Sequence, residues 1–336
     1  MKNMKEIRMM NRAAYIIDVC AGVKQGERAL IVTDVETMDV TQAFAGCLYE
    51  RGIETTVVII PKTQMTGQEP TAAAAAAMCE SDVVFQIVNQ SVSHSVAAKV
   101  ARAKGARMIA LSNTNADQIV SKAYQVDFEK WAPVCDKFGE YFTQASTIRV
   151  VSDAGTDFKA DVTGRKGNSM PCIARTPGSA TALPNIEANI SPVEGTSEGI
   201  IVIDGSIPNF GIGLIETPIK LTVEKGSVCK VEGGYQADEL RRILASVNDP
   251  AAYNIAQIAL GLNPQCRRLT GNWQNFDHAS FGRIHFGIGT SSALLGGNVQ
   301  APLHFDVHLE SSVAYFDDKM LIDNGKVLGV ELPEEV

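Results

Sequence analysis

Histidine is scarce in this chain, cysteines never occur in closely spaced pairs, and no long apolar run interrupts it. The seven cysteines (Cys20, Cys47, Cys79, Cys135, Cys172, Cys229 and Cys266) are spread evenly and are never spaced as C-x-x-C. That spacing argues against a disulfide framework and a thiolate zinc site. It fits small buried hydrophobes in a reducing cytoplasm, the expected location. No stretch approaches the ~20 apolar residues of a membrane span. The opening MKNMKEIRMMNRAAYII mixes charges of both signs without an apolar core, so it does not read as a secretory signal. Basic residues are not in excess: 30 Lys and Arg against 38 Asp and Glu leave a net charge of −8. That balance argues against a nucleic-acid binder, which needs a basic surface. No G-x-G-x-x-G follows the first apolar run, so a dinucleotide fold is unsupported.

What remains is an ordinary globular composition, 45% hydrophobic and 20% charged over 336 residues, enough for two domains of roughly 150 residues each. Up to about residue 146, short apolar runs alternate with helical stretches. Ala29 to Asp34, Thr55 to Ile60, Val83 to Val88 and Arg107 to Ser112 read as buried strands, being short, β-branched and bounded by turn residues. VTQAFAGCLYERG, TAAAAAAMC and SHSVAAKVARAKG read as helices between them. This alternation predicts an α/β domain over residues 1–146, a parallel sheet with helices on both faces. From residue 147 to 336 strand signals crowd together, with glycine turns and one clear helix, ADELRRILASV. A strand-rich α+β domain is expected there, with YNIAQIALG open to either helix or strand.

The chemistry concentrates in that second half. Of five histidines, at 94, 278, 285, 304 and 308, four fall within residues 278–308. In APLHFDVHLE, strand alternation puts His304, Asp306 and His308 on one face and Phe305, Val307 and Leu309 on the other. Same-face neighbours lie about 6.5–7 Å apart, close enough for His304 and Asp306 to share an ion. His308, twice as far from His304, would serve those ligands or a second ion. RIHFGIG adds His285 on another strand-like run, whose glycines allow close approach of backbone or ligand. Imidazole and carboxylate donors suit a divalent Zn, Mn or Fe ion.

The segment ALPNIEANISPVEGTSEGIIVIDG, followed by GGYQADELRRIL, NDPAAYNIAQIALGLNP, GGNVQAPLHFD and AYFDDK, resembles two related groups. These are the aminopeptidase T metallopeptidases and the 2,5-dihydroxypyridine 5,6-dioxygenases; ERALIVTD and SHSVAAKVARAKGAR extend the likeness into the first half. Both groups place a histidine and an aspartate at His304 and Asp306. The peptidases also have ligands where Glu187 and His285 stand, whereas the dioxygenases are apolar there. At Gln257 the peptidases carry a glutamate ligand and the dioxygenases their third iron ligand, a histidine. A dioxygenase catalytic histidine in the Pro177 to Pro184 segment has no counterpart here, where Ala182 stands. His94 matches a dioxygenase active-site histidine. Ser291 and Ser292 occupy the stretch in which a peptidase tyrosine is expected.

Counting ligands in this way implies a metal-dependent hydrolase acting on an amide-type bond of a small substrate. One divalent ion, Zn or Mn/Co, would be held by Glu187, His285, His304 and Asp306. Glu187 and His94 are the catalytic candidates, and Gln257, Arg267 and Ser291 the candidates to bind substrate. The alternative is a ring-cleaving Fe(II) dioxygenase, which the chain's compact length favours. A third is a small-molecule binding protein that has lost catalysis. The resemblance also implies a homo-oligomer.

Overall fold

The computed structural model describes residues 2–64, 66–292 and 296–334. The chain divides into two compact units, residues 1–132 with 170–185, and residues 133–169 with 186–336. This division lies earlier than the boundary at residue 146 expected from sequence texture. It also returns a segment of the strand-rich half to the first unit. The reason is Ala180–Ala182, which pairs in parallel with Arg107–Ala110.

The first unit is a five-stranded parallel sheet in the order Glu54–Ile59, Arg28–Thr33, Val83–Ile87, Arg107–Ala110, Ala180–Ala182. Helices cover both faces, as the alternation predicted. On one face Phe44 of the helix Met38–Glu50 packs against Phe85, ring centroids 5.2 Å apart. On the other, Leu30, Val32, Val84 and Met108 meet small residues of the helices Ala72–Cys79 and Val96–Ala103. Thr71 and Ser95 cap these two helices, each side chain accepting from a backbone N–H in the first turn.

One expected buried strand is not buried. Glu54–Ile59 forms the sheet edge, with Val57 41% and Ile59 56% exposed. Its β-branched run is that of an interior strand, but it has a neighbour on one side only. Among the α-helices, two long ones went unrecognised, Lys2–Tyr15 and Phe128–Gln144, as did the short Ala116–Ile119 and Gln274–His278. Pro133 disguises Phe128–Gln144, although its buried stripe Phe128, Trp131, Val134, Cys135, Phe138, Phe142 keeps helical spacing. No helix among the described residues is long and apolar enough to cross a membrane.

The second unit contains two sheets. One has eight strands, in the order Ser227–Glu232, Ile219–Glu224, Glu198–Ile203, Asp157–Asp161, Thr147–Val151, Val313–Phe316, Lys319–Asp323, Lys326–Val327. The other has seven, in the order Gly213–Leu214, Ser206–Ile207, His304–His308, Ile284–Gly289, Ile255–Gly261, Glu187–Ile190, Asn168–Met170. YNIAQIALG thus becomes a strand. Its Ile258 and Leu260 are buried on one face, where neighbouring Phe286 meets Phe158 of the eight-stranded sheet at 4.8 Å.

In the first unit Arg107 donates from both terminal nitrogens to Glu27, each at 2.8 Å, with the arginine side chain nearly buried. These bonds hold the Glu27 carboxyl below its ordinary range. A depressed carboxyl stabilises the fold above its unfolded pKa and loses that contribution as pH falls through the folded value. Glu27→Gln should therefore cost about 1–3 kcal/mol at neutral pH, and the difference from wild type should shrink below about pH 4. Urea denaturation of both proteins across pH checks this.

Candidate metal centre

The seven-stranded sheet explains why scattered residues meet. In antiparallel pairing, directly opposed residues share a face. The register sets Gly261 opposite Glu187, Ala259 opposite Asn189 and His285, and Gly287 opposite Gln257 and Asp306. His308 stands opposite His285, and His304 opposite Gly289. Gln257, two residues from Ala259, falls on this face by strand alternation, and the bulge between Ile255 and Gln257 sets Ile255 opposite Ile288 on the other. Every polar side chain in the set therefore shares one face, while Ala188, Ile190, Ile258, Leu260, Ile284, Phe286, Ile288, Phe305 and Val307 fill the other.

Small residues between the polar ones make room. A Cβ on Gly287 would lie 2.6 Å from Gln257 Cγ and 2.7 Å from His304 Cε1. A Cβ on Gly261 would lie 2.5 Å from the carbonyl oxygen of His278 and 2.7 Å from the carbonyl carbon of Ala279. Gly261 thus lets the short helix Gln274–His278 settle on the sheet and bring in a histidine that the alternation pattern did not single out.

Asp306 is the centre of the cluster. Its Oδ2 lies 3.1 Å from His278 Nε2 and 3.6 Å from His304 Nε2. Its Oδ1 accepts from Gln257 Nε2 at 3.0 Å and lies 4.0 Å from His285 Nε2. Glu187 Oε2 is 3.4 Å from His285 Nε2, and Glu187 Oε1 accepts from Asn189 Nδ2 at 2.6 Å. Asn189 is itself oriented by Asn168, whose amide donates to it at 3.0 Å. His304 Nδ1 is 3.0 Å from the Thr290 carbonyl oxygen, which turns Nε2 inward. The rings of His278, His285 and His308 pack within 5.2 Å of one another, centroid to centroid. His308 therefore packs against the other histidines, with Nδ1 at 3.3 Å from the Ser206 carbonyl oxygen.

The donor set fits a divalent ion. Glu187 and Asp306 are 2% and 1% exposed, and a buried carboxylate without a counter-charge costs several kcal/mol. Glu187, His278 and His285 offer donor atoms all within 4.8 Å of one another. Donors bound to one ion at about 2.1 Å lie about 3–3.5 Å apart, the scale of the histidine–carboxylate separations here. His278 Nε2 lies 3.1 Å from Asp306 Oδ2, a separation that also fits two ligands of one ion. His278 and His304 keep 10% of their side-chain surface exposed, so access to the cluster lies on their side.

Burial disfavours the charged form of all these groups, yet Asp306 raises the pKa of His278 and of His304 above the ordinary histidine value. Asp306 itself, against its own burial, is held well below the carboxylate range by those two histidines. Burial, with His285 and His278 beside it, pushes His308 far down, so it stays neutral.

The other candidates are placed differently. Ser291 is buried, its Oγ accepting from Val299 N at 3.2 Å. Arg267 is exposed, its guanidinium 4.6 Å above the Phe281 ring. His94 belongs to the first unit, just ahead of the Ser95 cap. In the Gly/Ser-rich stretch 287–298 the N–H groups of Thr290, Ser291, Ser292 and Gly297 are bonded to carbonyls, and residues 293–295 lie outside the described residues. Glu198 is exposed and accepts from Lys225 N at the hairpin turn.

Parallel α/β unit, antiparallel pair of sheets and buried nitrogen–oxygen donor set together define an α/β protein with a candidate metal centre. The chain belongs to the 2,5-dihydroxypyridine 5,6-dioxygenase family, whose description matches residues 11–329. It is 30% identical to the 2,5-dihydroxypyridine 5,6-dioxygenase of Pseudomonas putida KT2440 over 196 residues, a match spanning 56% of this chain and 56% of that protein. The solved structure of the 2,5-dihydroxypyridine dioxygenase from the same organism superposes with a TM-score of 0.84 at 20% identity, covering 97% of this chain and 98% of that one. AmpT from Thermus thermophilus superposes with a TM-score of 0.71 at 14% identity, covering 96% and 99%. Both groups recognised in the sequence thus share the fold.

Three outcomes follow from the geometry. An ion must displace protons from His278 and His304, whose raised pKa values put that competition above about pH 6.5. Affinity for Zn²⁺ or Fe²⁺ should therefore rise from about pH 6 to about pH 8 in calorimetric titration, and a flat profile would contradict the ligand set. In the metal-free chain the same two histidines contribute stability that is full below about pH 6.5 and declines as pH rises through the folded values. Gly287→Ala should leave the fold intact by circular dichroism and weaken metal binding about tenfold or more, because Gln257 or His304 must move.

Proposed function

We propose that this protein is a metal-dependent ring-opening dioxygenase acting on a small dihydroxylated nitrogen heteroaromatic, with Fe²⁺ as its ion. The observation that carries this reading is His278. Counting ligands along the sequence leaves a dioxygenase short of its third protein donor, because Gln257 stands where a histidine is expected. His278 reaches the same cluster from a helix. It completes a set of two histidines and one carboxylate either with His285 and Glu187 or with His304 and Asp306. Membership of the dioxygenase family supports the same direction.

When bound, the ion supplies a meeting point for O₂ and a substrate oxygen. The rest is done by the chain. Gln257, donating to Asp306 Oδ1, fixes that carboxylate so that Oδ2 faces the histidines. Glu187, tied through Oε1 to Asn189, keeps Oε2 as the acceptor for a substrate hydroxyl proton. Both atoms of O₂ enter the opened ring, so no external reductant is required. His94 for the reaction, and Arg267 and Ser291 for substrate binding, are carried over as candidates from the sequence. His94→Ala should lower turnover with metal content unchanged.

Amide hydrolysis is the second reading, favoured by one observation: Glu187 stands 3.4 Å from His285, both buried beside Asp306, as a base and ligand pair for activating water. Oxygen uptake decides between them. Protein loaded anaerobically with Fe²⁺ should consume one O₂ per 2,5-dihydroxypyridine or related ring opened. His304→Ala combined with Asp306→Ala should abolish both uptake and metal content. Amide cleavage with Zn²⁺ or Mn²⁺, without oxygen uptake on any dihydroxylated ring, would replace this reading with the hydrolase.

A further inference from the structure

Asp277 is fully buried and accepts four hydrogen bonds, which fills the capacity of a carboxylate. Its Oδ1 accepts from Thr270 N and from Thr270 Oγ1, each at 2.7 Å. Its Oδ2 accepts from Gly271 N at 2.8 Å and from Ser206 Oγ at 2.7 Å. Thr270 Oγ1 in turn accepts from Trp273 N at 3.1 Å, closing a ring of bonds around the start of the helix Gln274–His278. Gly271, at φ +70°, presses this loop onto the strand Gly213–Leu214, where a Cβ would lie 2.7 Å from the Gly213 carbonyl carbon.

A five-residue helix has almost no stability of its own, since nucleation costs more than one turn returns. Its place must come from tertiary anchors, and Asp277 is the strongest, with four hydrogen bonds to one side chain. Ser206 ties it to the metal-bearing sheet itself, for Ser206 is paired opposite His308 on the strand that carries His304 and Asp306. The next residue along the chain is His278.

We propose that Asp277 is a positioning residue: its four bonds hold His278 at the metal centre, so the affinity and geometry of the site depend on a carboxylate that does not touch the ion. This rests on the reading of His278 as a ligand given above. In that reading a histidine on a mobile turn would be a weak donor, and the Asp277 clamp makes it a fixed one.

Co²⁺ binding to the full chain tests this, with affinity measured by competition and the visible absorption spectrum reporting the ligands. His278→Ala should weaken Co²⁺ binding and shift the bands. Asp277→Asn should keep the far-ultraviolet circular dichroism, loosen Co²⁺ about tenfold or more, and shift the bands towards those of His278→Ala. Thr270→Val, which removes one of the four bonds and leaves the backbone donor, should fall between wild type and Asp277→Asn. A merely structural role would lower the melting temperature and leave spectrum and affinity as in wild type. That result in Asp277→Asn, or in Thr270→Val should Asp277→Asn not fold, overturns the proposal. A wild-type spectrum in His278→Ala would instead sink the ligand reading, and the inference with it.

Discussion

Two carboxylates kept from water on one face of an antiparallel sheet set the terms for the second unit. Glu187 and Asp306 are almost wholly buried, and the ion-pair partners of Asp306 are histidines. Removing two such charges from water costs several kcal/mol each unless a cation and hydrogen bonds replace the solvent. The surroundings are organised accordingly. Gln257 and Asn189 supply amide donors, the histidines turn nitrogens inward, and glycines at 261 and 287 clear the space these side chains need.

The opposite face answers a different demand. Its isoleucines, phenylalanines and valine are buried, with Phe286 against Phe158 of the eight-stranded sheet, so the strands that hold the donors are themselves held by apolar burial. A one-residue slip of any strand would send donors into the core and isoleucines to the centre. Register, fixed by that penalty, is therefore also what fixes the donor geometry. The bulge beside Gln257 is the local departure among the described residues of these central strands, and it sets Ile255 opposite Ile288 on the apolar face.

The relation between the two groups that share this fold is clarified by position 257. A glutamine there provides no charge, but it donates a hydrogen bond, and an unhindered Asp306 Oδ2 is the consequence. In the function proposed above, the donor absent from the central strand comes instead from a helix of five residues held in place by tertiary bonds. Loss at one position and supply from another is possible because a metal ion reads only where donor atoms are, not which element carries them.

Much of this was legible in the sequence for a simple reason: alternation is local. The H-x-D-x-H spacing placed His304 and Asp306 on one face, and β-branched runs bounded by turn residues located the strands at 28–33, 83–87 and 107–110. The edge position of Glu54–Ile59 was not legible, because strand order is decided by which neighbours pair rather than by composition. Nor was the return of Ala180–Ala182 to the first sheet, a pairing across some seventy residues of chain. His278 counted among the clustered histidines, but nothing in NWQNFDHASFG marks it as a donor. Its place at the centre depends on a glycine in one strand, a serine in another and a buried aspartate beside it. The sequence by itself determined which residue types could bind a metal and on which strand faces they stand, since side-chain direction follows from backbone period. Only the tertiary structure decided which of them share a site, since convergence depends on register and packing between segments far apart in the chain.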